Sequence, residues 1–279
     1  MEYSNLDKFE YSIEGQHQKP ITFDVTQPAE TALGVVVFCH GFKGFKDWGH
    51  FNLVAAEFAA QGLAFVKLNF SHNGTTADAP LDFADLEAFA NNNFSKEMDD
   101  LGAVLDWVES NLFDDTEQLY LMGHSRGGGI AILKAAEDER VKKLVTWSAV
   151  SDFESRFPVD LERFKREGVV YIPNARTNQD MPLYYQFVED YYANEERLHI
   201  PNRLAQISIP YLIIHGTEDE AVSTDSAAFL CENCEGAVVT YIEGAGHTFD
   251  AKHPFEDEEL PGAAQEATTL SIDFFKRDR

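Results

Sequence analysis

Positive charge is scarce in this sequence: 22 Lys and Arg residues stand against 48 Asp and Glu residues, which gives a formal net charge of −26. A protein that binds nucleic acid needs a cationic surplus to displace the counterions of the phosphates, so a nucleic acid partner is disfavoured. Binding to anionic lipid is disfavoured for the same reason. An anionic substrate would require a local basic pocket on this acidic chain.

Cysteines and long apolar runs are scarce as well. Three cysteines cannot form a fully paired disulfide framework, and Cys231 and Cys234 lack the second pair of ligands that a zinc site needs. No apolar run reaches the length of a membrane span. The first residues, from Met1 to Asp7, have neither the basic region nor the apolar core of a secretory signal. We therefore expect reduced thiols, a cytoplasmic location, and no metal or other cofactor.

The apolar segments that are present alternate between strand-like and helix-like patterns. With 44% hydrophobic residues in 279, the chain can bury a large core. Strands alternating with helices predict an α/β fold with a mostly parallel sheet of about eight strands, covered by helices on both faces. The predicted strands lie at 9–13, 21–25, 34–39, 63–70, 119–122, 143–147, 210–215 and 237–242, and the predicted helices at 52–60, 96–111, 128–137 and 261–275.

One interval interrupts this alternation. Residues 151–208 contain no buried-strand pattern and are rich in aromatic and charged residues. A structureless loop of this length is improbable in a compact domain. We predict a helical cap insertion at 151–208, placed over the carboxyl edge of the sheet, and a core domain made of 1–150 and 209–279.

The motif Gly123-His124-Ser125-Arg126-Gly127 follows a short apolar strand and precedes a predicted helix. This order is typical of a nucleophile elbow, in which a serine occupies a sharp strand-to-helix turn with its hydroxyl exposed. Composition alone can produce such a pattern by chance. Its meaning depends on a base, an acid and an oxyanion hole elsewhere in the chain.

A serine hydroxyl needs a base to remove its proton, and the base needs a third group to orient it. Three acidic residues, Glu218, Asp219 and Glu220, follow the end of the predicted strand 210–215 after two intervening residues. A glycine-flanked histidine, His247, follows the last strand. The carboxyl ends of parallel strands meet at one edge of a sheet, so these side chains are expected near the serine. We interpret the other histidine after the last strand, His253, as a surface or helix-entry residue.

An acyl-transfer enzyme also needs N–H donors for the oxyanion. The residue after the nucleophile, Arg126, supplies one backbone N–H. The loop after the third strand, 40–44, contains two glycines and can turn sharply, which makes the backbone N–H of Phe42 the second candidate. In the predicted cap, aromatic side chains are typical of packing as well as of substrate binding. We select Tyr171 and Tyr184 as candidate substrate-binding residues.

Together these residues resemble the α/β-hydrolase superfamily over positions 20–276. The closer likeness is to a capped bacterial branch that includes feruloyl (cinnamoyl) esterases and acyl-peptidase-like hydrolases. The motifs that carry it are 40–42, 123–128, 215–222 and 244–249. The resemblance implies an α/β-hydrolase fold, a catalytic triad of Ser125, Asp219 and His247, and oxyanion donors at Phe42 and Arg126. Arg126 stands where feruloyl esterases commonly have glutamine.

These observations predict a serine carboxylesterase that cleaves small acyl esters through an acyl-enzyme on Ser125. Aromatic, feruloyl-like esters are implied only by the resemblance. A serine exopeptidase, an acyl-peptidase-like hydrolase and a thioesterase use the same triad and remain alternatives. A non-catalytic ligand binder is the alternative of another class, which an intact triad disfavours. The expected partner is a small-molecule ester, with a homodimer left open.

Overall fold

A computed structural model describes residues 6–113 and 118–277. The first five residues, on which the expectation about a secretory signal partly rests, lie outside this part. The strands are β1 (Asp7–Glu14), β2 (Pro20–Gln27), β3 (Val35–Cys39), β4 (Ala64–Asn69), β5 (Leu119–His124), β6 (Val141–Trp147), β7 (Val169–Asn174), β8 (Gln179–Tyr184), β9 (Tyr211–Gly216) and β10 (Ala237–Ile242). The helices are α1 (Phe51–Ala60), α2 (Leu86–Ala90), α3 (Phe94–Leu112), α4 (Arg126–Glu137), α5 (Leu161–Glu167), α6 (Gln186–Ala193), α7 (Glu195–Leu198), α8 (Ile200–Leu204), α9 (Thr224–Asn233) and α10 (Gly262–Lys276).

Eight of these strands form one sheet in the order β1-β2-β4-β3-β5-β6-β9-β10. Strands β3 to β6, β9 and β10 pair in parallel, whereas β1 pairs with β2, and β2 with β4, in antiparallel register. The mostly parallel sheet of about eight strands predicted from the sequence is therefore confirmed. Parallel pairing brings the carboxyl ends of β3, β5, β9 and β10 to the same edge.

Both faces of the sheet are covered, as the continuously apolar central strands require. Along β3, Val35 and Val37 belong to a buried cluster that includes side chains of α3 and α4. The alternate residues Val36 and Phe38 belong to a second cluster with side chains of α1 and α10. Side chains of successive residues point to opposite faces of a strand, so one five-residue strand contributes to both cores.

The insertion between β6 and β9 is only partly helical. A short 3-10 turn at Glu154–Arg156 and helix α5 are followed by an antiparallel hairpin of β7 and β8, and then by α6, α7 and α8. The expectation of a helical cap is wrong for these residues, which form a hairpin of two strands. The sequence pattern did not reveal the strands because each is only six residues long and contains a proline. The division into core and cap domains stays a prediction.

The buried side chains of the insertion do not form a core of their own. Phe153, Phe187 and Ile200 belong to the same cluster as the α3 and α4 side chains beneath the sheet. The three cysteines are free. Within residues 6–113 and 118–277, no helix is both long and apolar enough to cross a membrane.

Candidate active site

Ser125 lies at the junction of β5 and α4 in a backbone conformation that few residues adopt. Its φ is +57° and its ψ is −121°, and its N–H donates a hydrogen bond of 2.9 Å to the Trp147 carbonyl on β6. A non-glycine residue at positive φ stores strain that the surrounding structure must hold in place. The strained turn places the Ser125 hydroxyl at the carboxyl end of the sheet.

The glycines of the motif permit close approach of neighbouring backbone. A Cβ on Gly123 would lie 2.3 Å from the Gly127 carbonyl oxygen, and a Cβ on Gly127 would lie 2.3 Å from the His40 carbonyl oxygen. Any larger residue would push α4 away from β5 or from the loop after β3. This packing therefore requires glycine at positions 123 and 127.

Three of the predicted site residues are joined by hydrogen bonds. The Ser125 hydroxyl donates to His247 Nε2 across 3.0 Å, and His247 Nδ1 donates to Asp219 Oδ2 across 2.8 Å. Because an ionised carboxylate can only accept, Asp219 fixes the tautomer in which Nδ1 carries the proton. His247 Nε2 is then free to accept the serine proton.

Asp219 is held as a carboxylate by several donors. Its Oδ1 accepts the N–H groups of Ala221 and Val222 at 2.9 and 2.8 Å, and His215 Nε2 lies 3.3 Å from Oδ2. Burial by itself would raise the pKa of Asp219, but the hydrogen bonds from His215, His247 and Val222 hold its pKa well below the usual value. Asp219 therefore stays charged opposite His247.

From the residues alone, Glu218, Asp219 and Glu220 were all candidates for the acid that orients His247. Of these, Asp219 is the one that contacts His247, and its carboxylate is fully buried. Glu218 and Glu220 are exposed. The turn after β9 directs the middle residue inward because its Oδ1 caps the two N–H groups that follow.

A second histidine supports the first. His124 Nε2 donates to the His247 carbonyl oxygen at 2.9 Å, and the two ring centroids are 4.8 Å apart. Burial lowers the pKa of His124 to about 3, with the nearby His247 contributing in the same direction. His124 is thus a neutral donor that anchors the loop after β10.

The two predicted oxyanion residues both border Ser125. A Cβ on Gly41 would lie 3.4 Å from Ser125 Oγ, so the loop that contains Phe42 passes directly beside the hydroxyl. Arg126 is the first residue of α4, where backbone N–H groups have no intrahelical acceptor. Backbone donors of this kind suit a developing negative charge.

The Arg126 side chain is buried and paired with a carboxylate from α3. Its Nε donates to Glu97 Oε2 at 3.1 Å, and its Nη2 lies 2.9 Å from Glu97 Oε1. The guanidinium carbon lies 5.3, 4.6 and 5.1 Å from the ring centroids of Phe42, Phe94 and Phe187. Burial lowers the pKa of Arg126 and raises that of Glu97. The Glu97 carboxylate therefore compensates the positive charge of Arg126 next to Ser125.

Two cavities meet at Ser125, His247 and Phe42. The first, which we call the apolar cavity, has a volume of about 510 Å³, and its walls include Phe94, Val150, Phe153, Phe157, Ile172 and Leu183. The second, which we call the basic cavity, has a volume of about 400 Å³, and its walls include Lys43, Arg176, Lys252 and His253. Ser125 therefore lies between the apolar cavity and the basic cavity.

The two tyrosines selected from the sequence border neither cavity. Tyr171 on β7 is 61% exposed, and the Tyr184 hydroxyl on β8 donates to Glu87 Oε2 at 2.8 Å. Their hairpin neighbours Val170, Ile172 and Leu183 line the apolar cavity instead. Side chains alternate along a strand, so the two tyrosines lie on the face of the hairpin opposite to the one that lines the cavity.

Comparisons with known proteins identify the family to which the chain belongs. The model of the alpha/beta hydrolase family matches residues 36–259. A monoacylglycerol lipase from Mycolicibacterium smegmatis is 23% identical over 245 residues, which are 80% of this chain and 83% of that protein.

Among solved structures, a putative hydrolase from Agrobacterium vitis S4 is similar with a TM-score of 0.73 and 18% identity, covering 97% of this chain and 99% of that one. Est1E from Butyrivibrio proteoclasticus, solved with ferulic acid bound, is similar with a TM-score of 0.69 and 17% identity, covering 96% and 100%. At these identities the structural likeness concerns the fold. The family match over most of the chain carries the assignment: this protein belongs to the alpha/beta hydrolase family.

Proposed function

We propose that this protein is a serine carboxylesterase that cleaves small acyl or aromatic esters. The observation that carries the proposal is the hydrogen-bonded series Ser125, His247 and Asp219, which opens into the apolar cavity. A nucleophile, a base and an orienting acid in this geometry are the parts that acyl transfer from an ester requires.

In the proposed reaction, Ser125 Oγ attacks the ester carbonyl carbon while its proton passes to His247 Nε2. The carbonyl oxygen becomes an oxyanion, which the backbone N–H groups of Phe42 and Arg126 stabilise. The intermediate collapses, His247 returns the proton to the leaving alcohol, and an acyl-enzyme remains. Water then attacks the acyl carbon, with His247 acting again as base, and the carboxylic acid leaves.

The apolar cavity is the proposed acyl site. Its walls are mostly aliphatic and phenyl groups. Of the two guanidinium groups that border it, that of Arg126 is paired with Glu97, and that of Arg156, an exposed residue, donates to the Ala221 carbonyl oxygen at 2.9 Å. An uncharged acyl chain or aromatic ring suits such a surface. Two similar proteins, a monoacylglycerol lipase and Est1E with ferulic acid bound, support an ester of this kind.

The lining also favours an ester over a peptide with a free amino terminus. An exopeptidase must neutralise the substrate ammonium with carboxylates. Among the described residues that border the two cavities, none is Asp or Glu. A thioester shares the acyl chemistry and differs only in its leaving group.

Labelling with a fluorophosphonate tests the nucleophile. We expect one label per wild-type chain on Ser125, no label on Ser125→Ala, and a loss of ester turnover of roughly 10⁴-fold or more in that variant. Ser155→Ala is the matched control, because Ser155 lies exposed in the 3-10 turn of the insertion. A folded wild type that stays unlabelled contradicts the proposal.

A substrate comparison then tests the reaction class. Rates with p-nitrophenyl esters, methyl ferulate, acyl-CoA and aminoacyl-p-nitroanilides are measured side by side. We expect the oxygen esters to be cleaved fastest. Faster turnover of the anilides assigns the protein to the peptidases, and faster turnover of acyl-CoA assigns it to the thioesterases.

A further inference from the structure

The basic cavity has the opposite charge from the rest of the molecule. Acidic residues outnumber basic ones by 48 to 22 in the whole chain. Yet the described part of this cavity's lining includes Lys43, Arg176, Lys252 and His253 and no carboxylate. On so acidic a chain, this local reversal of charge is the kind of pocket that an anion requires.

The cationic side chains of the cavity and His253 can each donate a hydrogen bond. His253 Nδ1 accepts the Gly49 N–H at 2.9 Å, so in the neutral ring the proton resides on Nε2. Lys43 Nζ donates to the Pro173 carbonyl at 3.1 Å, a neutral acceptor that leaves the ammonium charge uncompensated. A set of donors without a carboxylate matches the acceptor-only chemistry of an anionic group.

Arg176 lines the basic cavity and packs against two aromatic rings. Its guanidinium carbon lies 5.4 Å from the Phe45 ring centroid and 5.5 Å from that of Phe83, which hold it in position. Its Nη2 is buried without a hydrogen-bond partner among the described residues. Asp82 Oδ1 lies 4.0 Å from Nη1, but the Asp82 side chain is 73% exposed. A pair so open to solvent compensates little of the charge.

The position of the cavity gives the anion a role in the reaction. Both cavities border Ser125 and His247, and the apolar one suits the acyl group. An ester bound with its carbonyl at Ser125 then extends its leaving group to the other side. The leaving alcohol also takes its proton from His247, which borders the basic cavity.

We propose that the basic cavity binds the leaving group of the substrate and that this leaving group carries a carboxylate or a phosphate. The proposal rests on the esterase function proposed above and specifies its substrate class. The reaction is hydrolysis of the ester: one water is consumed, and the products are the carboxylic acid and an alcohol that bears the anionic group. The enzyme thus consumes the product of a reaction that acylates an anionic alcohol.

Two esters with the same acyl group test this proposal. Butyrate esters of 4-nitrophenol and of 3-carboxy-4-nitrophenol differ by one carboxylate on the leaving group, and dividing each kcat/KM by the rate of hydroxide hydrolysis corrects for intrinsic reactivity. We expect the carboxylated ester to have a corrected kcat/KM about 10-fold or more above the neutral one. Equal corrected values overturn the proposal.

Variants assign the preference to the cavity. Arg176→Gln and Lys252→Gln each remove one cation, and we expect the ratio of the two corrected kcat/KM values to fall about 5- to 10-fold in each. Arg176→Lys keeps the charge and should recover most of the ratio. Lys165→Gln, on an exposed face of α5, is the matched control and should leave the ratio unchanged. An unchanged ratio in both cavity variants contradicts the assignment.

Inhibition distinguishes the two sources of negative charge. Benzoate, phenyl phosphate and the neutral benzyl alcohol are compared as competitive inhibitors of neutral-ester hydrolysis. Stronger inhibition by benzoate identifies a carboxylate, and stronger inhibition by phenyl phosphate identifies a phosphate. If benzyl alcohol inhibits as well as both anions, the leaving-group proposal is wrong while the esterase proposal stands. If no ester is cleaved at all, the esterase proposal itself is wrong.

Discussion

Three acidic side chains follow β9, and their different burial makes the orienting acid testable. Asp219 is enclosed and donates no proton, whereas Glu218 is exposed two residues beyond the end of the strand. In Asp219→Asn the amide can donate to His247 Nδ1, which favours the wrong tautomer. We expect kcat to fall by roughly 10⁴-fold with the fold retained.

Glu218→Gln is the matched control and should keep nearly full activity. Steady-state kinetics on a p-nitrophenyl ester, together with circular dichroism of both variants, give the comparison. Full activity in Asp219→Asn and a large loss in Glu218→Gln would transfer the role to the exposed glutamate.

The buried ion pair beneath the nucleophile yields a prediction about stability. Arg126→Gln, which introduces the residue common in feruloyl esterases, leaves the Glu97 carboxylate buried with Asn92 as its remaining partner at 2.7 Å. Removing one member of such a pair costs about 3–5 kcal/mol of unfolding free energy. The double variant Glu97→Gln/Arg126→Gln should regain most of this loss, because no buried charge is left. Urea denaturation measures both variants, and a double variant as unstable as the single one refutes the account.

His50 gives a pH-dependent prediction. It is buried against Trp147, and neither ring nitrogen has a hydrogen-bond partner within the described part of the chain. Burial lowers its pKa from 6.5 to about 4. The unfolded chain therefore binds the proton more readily, so His50 reduces stability as the pH falls from about 6.5 towards 4.

His50→Leu should remove that part of the acid sensitivity. Relative to its value at pH 7.5, the unfolding free energy of the wild type should fall by about 2 kcal/mol more than that of the variant at pH 5. Because Asp100, whose pKa burial raises to about 6, acts in the opposite direction in both proteins, the difference between them isolates the histidine. Parallel pH curves for the two proteins would contradict this assignment.

The sequence predicted the residues that meet at the serine, because each follows a strand that points to the same edge of the sheet. It did not predict that Glu97 would pair with Arg126, because that contact depends on how α3 packs against α4. It also did not predict that Tyr171 would lie on the face of the hairpin opposite to the apolar cavity, because which face turns inward depends on the register, and nothing local distinguishes a tyrosine that packs from one that faces solvent.

At the scale of elements, the hairpin of β7 and β8 forms one wall of the apolar cavity. Strand β7 was missed because its alternation spans only six residues and ends near a proline. Most of the long strands and helices of the core were predicted within a few residues, because their apolar patterns extend over several turns or a full strand. Short elements of an insertion carry too little periodicity for this. The ten-residue helix α9, between β9 and β10, was not predicted.

Alternation along β7 makes the wall testable. Ile172→Trp should narrow the apolar cavity and lower kcat/KM for the longer acyl chains of a p-nitrophenyl ester series by roughly 10-fold, while short acyl chains are affected less. Tyr171→Trp, one residue away on the exposed face, is the control and should leave the series unchanged. The reverse pattern would mean that the hairpin presents its other face to the substrate.

For the whole molecule, the net charge of −26 implies self-repulsion that salt screens. The melting temperature should rise between about 10 mM and about 200 mM NaCl, as the Debye length falls from roughly 30 Å to below 10 Å. Salt also weakens exposed ion pairs such as Arg163 with Glu167, but each of these contributes little. Equal ionic strengths of NaCl and KCl should give equal shifts, and a melting temperature that falls with either salt contradicts the prediction.

The shared core of the insertion has a consequence for how this enzyme can change. Because side chains of the insertion complete the hydrophobic cluster on one face of the sheet, the segment cannot be exchanged as a module. A chimaera that grafts a relative's insertion onto this sheet would leave unmatched surfaces on α3 and α4. New substrate ranges are therefore more accessible through single substitutions along the cavity walls than through recombination of whole segments.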